Sequence, residues 1–203
     1  MAASLDDQIT VWIATHRWAP LNPLFIGLGT IEKLGAVWIA LALVCGYWRW
    51  RTLLPTLGVA ALTALVLFAA DAATFGIKDI VVRPRPFVTH PEIHPLYHVR
   101  SSSFPAGHAA TAFAGAVVLS ALAHRWTLAF ALFAAAVAFS RIYVGDHYLG
   151  DVIGGAVVGA AVARAALSGV GTLRRRWPEA LGTVRLLRPR ALHSTPRPRS
   201  RRP

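Results

Sequence analysis

The chain has 203 residues, 55% of them hydrophobic and 15% charged, and its mean hydropathy of +0.50 is higher than that of ordinary soluble domains. This composition argues against a soluble globular protein. No period-two alternation typical of strands occurs, so the sequence predicts an all-α, polytopic membrane helical bundle. The net charge of +12 would suggest nucleic-acid binding, but ten of the 21 basic residues fall within Arg174–Arg202. The body of the chain is therefore not unusually basic.

The N-terminal segment contains the least regular of the predicted spans. Its first residues, MAASLDDQ, are acidic, which is not typical of a cleaved signal peptide. Pro20 and Pro23 interrupt Thr10–Ile31, which is predicted as a broken first span, with an interfacial helix as the alternative. Further apolar runs bring the prediction to about five to six spans: Leu34–Trp48, Leu53–Ala70, Pro105–Ala123, Thr127–Phe139 and Leu149–Ala163.

The chain is predicted to consist of a membrane-embedded domain, residues 1–173, and a basic tail, residues 174–203. The tail is rich in arginine, proline and serine and poor in apolar residues, a composition typical of disorder. We expect this tail to lie in the cytoplasm, where it can contact anionic lipids, and we expect no nucleic-acid partner. The single cysteine, Cys45, excludes an intramolecular disulfide.

A long polar interval, about residues 78–104, predicts a loop outside the bilayer between two spans. His90, His94 and His98 are spaced by four residues, which on a helix would suggest a metal site. Pro91 and Pro95 are incompatible with a regular helix at these positions, so no metal site is predicted there.

Three polar clusters are predicted to meet on one side of the membrane. If each apolar run crosses once, residues 78–86, 105–108 and 141–151 all emerge on the same face. Lys78, Arg85 and Arg141 supply cations suited to phosphate oxygens. The sequence SFPAGHAA adds a proline at a helix start and backbone N–H groups at Ala106 and Gly107, which is typical of an anion site.

The spacing of two histidines and one aspartate within these clusters indicates phosphoryl transfer. His147 and Asp151 lie four residues apart, so on a helix they share one face, and the carboxylate can accept the Nδ1–H of the imidazole. Nε2 of His147 is then free to attack phosphorus, while His108 can act as acid and base. No metal or other cofactor is required. Asp146 is expected to point away, as a cap or surface residue, and Asp71 to hold a basic site residue or to form a helix–helix hydrogen bond.

The motifs KDIVVRPRP, from Lys78, and SRIYVGDHYLGD, from Ser140, resemble those of the type-2 phosphatidic acid phosphatase superfamily, whose fold is shared with vanadium haloperoxidases. The middle motif, usually Pro-Ser-Gly-His, is PAGH here, with Ala106 in place of the serine. The resemblance implies that His147 is the nucleophile, Asp151 its orienting partner and His108 the acid/base. It also implies that Lys78, Arg85, Gly107 and Arg141 bind phosphate, and we include Ala106 and Ser140 among the candidate phosphate-binding residues.

These observations predict a metal-independent lipid phosphatase of the membrane. By analogy, undecaprenyl diphosphate or a similar polyprenyl carrier is the favoured substrate, followed by phosphatidylglycerophosphate and phosphatidic acid. A lipid phosphotransferase using the same histidine is the alternative, and a haloperoxidase and a non-catalytic transporter or scaffold are more remote ones. Arg49, Arg51, Arg125 and the tail lie opposite the clusters, which predicts an outward-facing site and a cytoplasmic C-terminus in a bacterial cytoplasmic membrane.

Overall fold

The computed structural model describes residues 4–176, and every regular element within that range is helical. The predicted all-α class is confirmed. The eight α-helices are α1 Leu5–Thr15, α2 Asn22–Glu32, α3 Ala36–Trp50, α4 Leu53–Ile80, α5 Pro86–Thr89, α6 Gly107–Leu122, α7 Thr127–Tyr143 and α8 Leu149–Arg176.

Several of these helices are long and apolar enough to cross a bilayer, so the protein is a multi-pass membrane protein. Within the described residues, α4, the segment His124–Tyr143 and the segment Leu149–Leu173 each qualify alone. Helices α2 and α3 qualify as a pair bent by 69°, and α6 is a shorter apolar helix. By length and composition the described residues therefore hold three candidate spans, or four if the bent pair is one span, so the predicted number of about five to six is approximate.

The N-terminal region is divided differently from the prediction. The helical structure is interrupted on both sides of α2, so Thr10–Ile31 does not form a single broken span. The break near Pro20 separates α1 from α2, whereas the bent span joins α2 to α3 across the short 3-10 turn Lys33–Gly35. Gly35 adopts a left-handed conformation there, with φ of 67°, which permits the sharp change of direction. The spacing of prolines alone did not identify this second break.

Helix α6 lies at the centre of the bundle, where it contacts α3, α4, α7 and α8. Small residues on α8 allow the two helix backbones to approach closely. A Cβ atom at Gly155 would lie 2.2 Å from the carbonyl oxygen of Ala106, and one at Gly159 would lie 1.9 Å from that of Ala110. The close packing at these glycines therefore fixes the start of α8 against the start of α6, which is where the polar clusters meet.

Residues 177–203 lie outside the described part of the chain, and with them most of the predicted basic tail. Helix α8 itself continues to Arg176, three residues into the region assigned to that tail from the sequence.

Candidate active site

The structure brings the three polar clusters together around one cavity of about 490 Å³. The cavity lies between the C-terminal half of α4, the long loop, the start of α6 and the turn that precedes α8. Its polar lining includes Lys78, Arg85, Gly107, His108, Asp146 and His147. Its walls also include apolar side chains of α3 and α4, namely Ile39, Leu67, Phe68 and Phe75. The polar end of the cavity is thus continuous with an apolar cleft.

His147 is buried between a carboxylate and a guanidinium, with only 2% of its surface exposed. Its Nδ1 lies 3.6 Å from Oδ2 of Asp151, and its Nε2 lies 3.5 Å from Nη1 of Arg85. Burial lowers the pKa of the imidazole below its ordinary value of 6.5, although the neighbouring carboxylates oppose this shift. The neutral ring therefore presents Nε2 towards a cation that can also bind phosphate.

The contact between His147 and Asp151 does not arise from a shared helix face. Helix α8 begins at Leu149, so His147 lies in the preceding turn and Asp151 is the third residue of the helix. The backbone N–H of Tyr148 donates to Oδ2 of Asp151 at 2.9 Å. This hydrogen bond holds the turn over the start of α8. The side chains of His147 and Asp151 therefore face each other even though they do not share a helix.

Asp151 is fully buried and receives two further donors. Ser103 Oγ donates to Oδ2 at 2.5 Å, and Arg83 Nη1 donates to Oδ1 at 2.7 Å. Neither Ser103 nor Arg83 was predicted as a site residue. Both lie in the polar loop, and the conformation of this loop could not be predicted from the spacing of its residues.

Asp146 contradicts the prediction of a surface or capping residue, because it is 2% exposed and lines the cavity. One carboxylate oxygen forms an ion pair with Arg85, and the other lies 3.6 Å from Nε2 of His147. The prediction failed because residues 144–148 form a turn, in which neighbouring side chains do not diverge by the 100° expected on a helix.

Two of the predicted phosphate-binding cations reach the cavity, and loop backbone holds each of them. Lys78 Nζ donates to the carbonyl oxygen of Ser102 at 2.9 Å. Arg85 Nε donates to the carbonyl oxygen of Ser101 at 2.8 Å, while its Nη2 donates to the Ser101 hydroxyl at 3.0 Å. These contacts direct both cations towards the neighbourhood of His147.

Arg141 is placed one layer behind the cavity, 1% exposed and absent from its lining. Its Nη1 donates to the hydroxyl of Tyr97, which does line the cavity, and its Nη2 donates to the carbonyl oxygen of Phe25 at 3.1 Å. Ser140 accepts from Nε of Arg141 at 2.9 Å. In this arrangement Ser140 orients Arg141, and Tyr97 stands between Arg141 and the cavity.

Gly107, the first residue of α6, lines the cavity, and no side chain caps this helix. The N–H of Ala106, however, donates to the carbonyl oxygen of Asp151 at 2.9 Å, so this predicted donor is already engaged. His108 lies in the first helical turn and lines the cavity, and the backbone of Gly29 lies near its imidazole. Helix α2 thus packs close to His108.

A buried carboxyl group that the sequence analysis did not identify also lines this cavity. Glu32, at the end of α2, is 1% exposed and accepts hydrogen bonds from Trp38 Nε1 at 2.6 Å and Thr111 Oγ1 at 2.7 Å. Because Thr111 lies one turn after His108, these bonds connect the bend between α2 and α3 to the helix that carries His108.

The predicted histidine series of the loop does not form a metal cluster. His90 lies 3.5 Å from Asp7 and 3.6 Å from Glu92, and within residues 4–176 no group of three His, Cys, Asp or Glu side chains is arranged to hold a metal ion.

The fold is similar to that of several solved structures. The crystal structure of LpxE from Aquifex aeolicus has a TM-score of 0.68 at 23% identity, covering 82% of this chain and 97% of that one. A transmembrane PAP2-type phosphatidylglycerolphosphate phosphatase from Bacillus subtilis has a TM-score of 0.65 at 22% identity, covering 84% and 86%. At this level of identity the similarity shows a shared fold.

A bacterial vanadium-dependent iodoperoxidase has a TM-score of 0.66 at 16% identity, and the match covers 82% of this chain and 51% of that one. No curated protein matches the sequence. The family model described as the PAP2 superfamily matches residues 56–175, which include all three polar clusters. More than half of the chain therefore matches this family, which confirms the predicted resemblance and the expected type of enzyme: the protein belongs to the PAP2 superfamily.

Proposed function

We propose that this protein is an integral membrane lipid phosphatase that forms a phosphohistidine at His147. The observation that carries the proposal is the position of this side chain. Its Nδ1 faces Asp151, and its Nε2 faces Arg85 at the polar end of a cavity that is otherwise largely apolar. A neutral imidazole in this setting is a competent nucleophile, and the surrounding cations can stabilise the charge that develops on the phosphoryl oxygens.

The proposed reaction has two steps. Nε2 of His147 attacks phosphorus, the P–O bond to the leaving group breaks, and His108 supplies the proton that the leaving oxygen takes up. Water then attacks the phosphohistidine while His108 removes its proton, which releases inorganic phosphate and restores the imidazole. Asp151 stabilises the charged ring that forms in the first step, while Lys78, Arg85 and the N–H of Gly107 bind the phosphoryl oxygens.

The role of Arg141 in this scheme is indirect. Because it lies behind Tyr97, we assign it to orienting the Tyr97 hydroxyl and to the positive potential of the site. Ser140 holds its guanidinium. Ala106 contributes through the backbone, by fixing the start of α6 to Asp151.

The apolar part of the cavity supports a lipid as the substrate. Phe68, Phe75 and Leu67 belong to α4, a membrane-spanning helix, so an acyl or prenyl chain can leave the phosphate site along apolar surface. The order of candidate substrates remains undecaprenyl diphosphate or a related polyprenyl carrier, then phosphatidylglycerophosphate and phosphatidic acid.

The proposed orientation places the cavity on the outer side of the cytoplasmic membrane, with the basic tail in the cytoplasm near anionic lipids. Single cysteines at Pro95 and Ser194, in a protein with Cys45 replaced by serine, test this orientation in intact cells. A membrane-impermeant thiol reagent is expected to label position 95 and to leave position 194 unlabelled. The opposite pattern would place the cavity in the cytoplasm.

Release of inorganic phosphate from a panel of these lipids, by purified protein in detergent with a chelator present, tests the function directly. We expect turnover of at least one lipid and its loss in His147→Ala. Transfer of the phosphoryl group to an added alcohol, with little free phosphate, would identify a phosphotransferase instead. Vanadate-dependent oxidation of iodide without phosphate release would identify a haloperoxidase. Inactivity towards every lipid would refute the proposal.

A further inference from the structure

The N-terminal helix α1 contacts the start of α8 directly through two polar side chains. Oδ1 of Asp6 accepts the backbone N–H of Gly150 at 2.8 Å, and Oγ1 of Thr10 accepts that of Leu149 at 3.2 Å. The first N–H groups of a helix have no partner within the helix itself. Helix α1 therefore supplies the N-terminal cap of α8, two residues before Asp151.

Arg83 joins this contact to Asp151. Its Nη2 donates to Oδ2 of Asp6 at 2.7 Å, and its Nη1 donates to Oδ1 of Asp151 at 2.7 Å. Its guanidinium also stacks on the Tyr148 ring, 3.9 Å from the ring centroid. A planar fork held between two carboxylates and an aromatic ring has little freedom to rotate, so the guanidinium fixes the carboxylate that it binds.

The two oxygens of Asp151 have different partners because of this arrangement. Oδ1 is bound by Arg83, whereas Oδ2 accepts from Ser103 and from the N–H of Tyr148 and lies 3.6 Å from Nδ1 of His147. If Oδ1 lost its cation, the carboxylate could rotate about its Cβ–Cγ bond and move Oδ2 away from the imidazole. The orientation of the proposed nucleophile thus depends on a residue that does not touch it.

We propose that Arg83, anchored by Asp6 of α1, is a positioning residue that holds the Asp151 carboxylate against His147. Helix α1 is then a functional part of the active site through the contact between Asp6 and Arg83. This inference rests on the proposed function for its kinetic consequences, but the contacts themselves do not depend on which lipid is hydrolysed.

A direct role for Arg83 in phosphate binding is the competing explanation, since Arg83 lies near Lys78 and Arg85 in the sequence. The geometry argues against it, because Arg83 does not line the cavity and each of its Nη atoms already binds a carboxylate. The two roles predict different kinetics. Loss of a phosphate ligand weakens binding of substrate and vanadate, whereas loss of a positioning residue lowers kcat with little change in KM.

The test compares Asp6→Asn, Arg83→Gln and the double variant with wild type in phosphate release and vanadate inhibition. We expect Arg83→Gln to lower kcat by about 10- to 100-fold and Asp6→Asn by about 5- to 10-fold, with KM and the vanadate inhibition constant within about twofold. The double variant should be no worse than Arg83→Gln, because both changes break one chain of contacts. Arg83→Lys should be intermediate, since an ammonium keeps the charge but lacks the fork. Asp6→Glu should recover much of the loss in Asp6→Asn.

Asp7→Asn is the matched control on the same helix. The Asp7 carboxylate accepts from the backbone N–H of Ser4 at 3.1 Å and lies 3.5 Å from His90, without contacting Arg83. This change weakens the cap of α1 and leaves the Asp6–Arg83 pair intact, so kcat should stay within about twofold. A loss as large as that of Asp6→Asn would mean that general destabilisation of α1 explains the effect.

Hydrogen exchange at the amides of Leu149 and Gly150 provides a readout that needs no substrate. We expect faster exchange at Gly150 in Asp6→Ala, which removes the acceptor oxygen, than in wild type or Asp7→Ala. Unchanged exchange would refute the contact between α1 and α8, even if the wild-type protein released no phosphate and the proposed function had failed. Wild-type kcat in Asp6→Asn, or a parallel rise in KM and in the vanadate inhibition constant in Arg83→Gln, would overturn the positioning role.

Discussion

A methyl group added at Gly29 is expected to disturb phosphate binding through Arg141, although neither residue lines the cavity. A Cβ atom at Gly29 would lie 2.1 Å from Nη2 of Arg141 and 2.4 Å from its Cζ. The guanidinium cannot simply move aside, because it is bound to Ser140, Tyr97 and the Phe25 carbonyl oxygen. Gly29→Ala therefore has to break some of these hydrogen bonds or push α2 away.

The expected size of the effect of Gly29→Ala follows from two opposing contributions to the free energy. Overpacking a buried site costs about 1–3 kcal/mol, while replacing a helical glycine by alanine stabilises the helix by up to about 1 kcal/mol. If keeping Arg141 and Tyr97 in their present orientation then costs a net free energy of about 1–2 kcal/mol, vanadate should bind roughly 5- to 30-fold more weakly. His108, whose imidazole lies near the backbone of Gly29, should also be displaced, so kcat is expected to fall as well.

Gly27→Ala is the matched control, because a Cβ atom at Gly27 of the same helix would meet nothing within 4 Å. It should keep wild-type kinetics and unfold at the same or a slightly higher temperature. Vanadate inhibition and thermal unfolding of both variants measure the effect. If Gly29→Ala behaved like Gly27→Ala, the close packing of α2 on Arg141 would have no functional consequence and the reasoning would be wrong.

Three further predictions concern charged or titratable groups. Asp146→Asn removes the negative charge that pairs with Arg85, so vanadate should inhibit about tenfold more tightly, and weaker inhibition would show that Asp146 does not compete for that cation. Glu32→Ala leaves two donors without their acceptor and should lower the free energy of unfolding by about 2–4 kcal/mol in denaturant titrations, with a smaller loss in Glu32→Gln. If Glu32→Ala were as stable as wild type, water would have replaced the carboxylate. Burial lowers the pKa of His147, so below about pH 6.5 the unfolded state binds a proton that the folded state does not, and stability falls as the pH decreases. His147→Gln should flatten this dependence by up to about 1.4 kcal/mol per pH unit, and an unchanged slope would contradict a neutral buried ring.

The convergence of the three clusters was predictable from the sequence because apolar runs fix the side of the membrane on which each loop emerges. Arg85, His108 and His147 could be identified in this way, since each lies at the end of such a run. Arg83 and Ser103 could not, because their contacts to Asp151 depend on the path of a proline-rich loop. Asp146 was misjudged for a related reason: the sequence between α7 and α8 was treated as helix, and the actual turn directs its carboxylate into the cavity.

The N-terminal third shows a second limit of the sequence analysis. Hydropathy indicated apolar segments there, but it did not show that α1 would cap α8 or that α2 would pack on Arg141. Both contacts join residues more than a hundred positions apart and involve single side chains or backbone groups. A periodic pattern carries no information about such contacts, since any polar residue at the same position would look equivalent.

Identification of the phosphorylated residue in an acid-quenched reaction tests the central claim most directly. Cleavage after Arg141 and Arg164 releases a peptide, residues 142–164, in which His147 is the sole histidine. With lipid substrate labelled in its terminal phosphate, rapid quenching should trap label in this peptide as an acid-labile, base-stable phosphoramidate, and His147→Ala should abolish it. Label on another residue, or steady phosphate release by His147→Ala at the wild-type rate, would contradict the account.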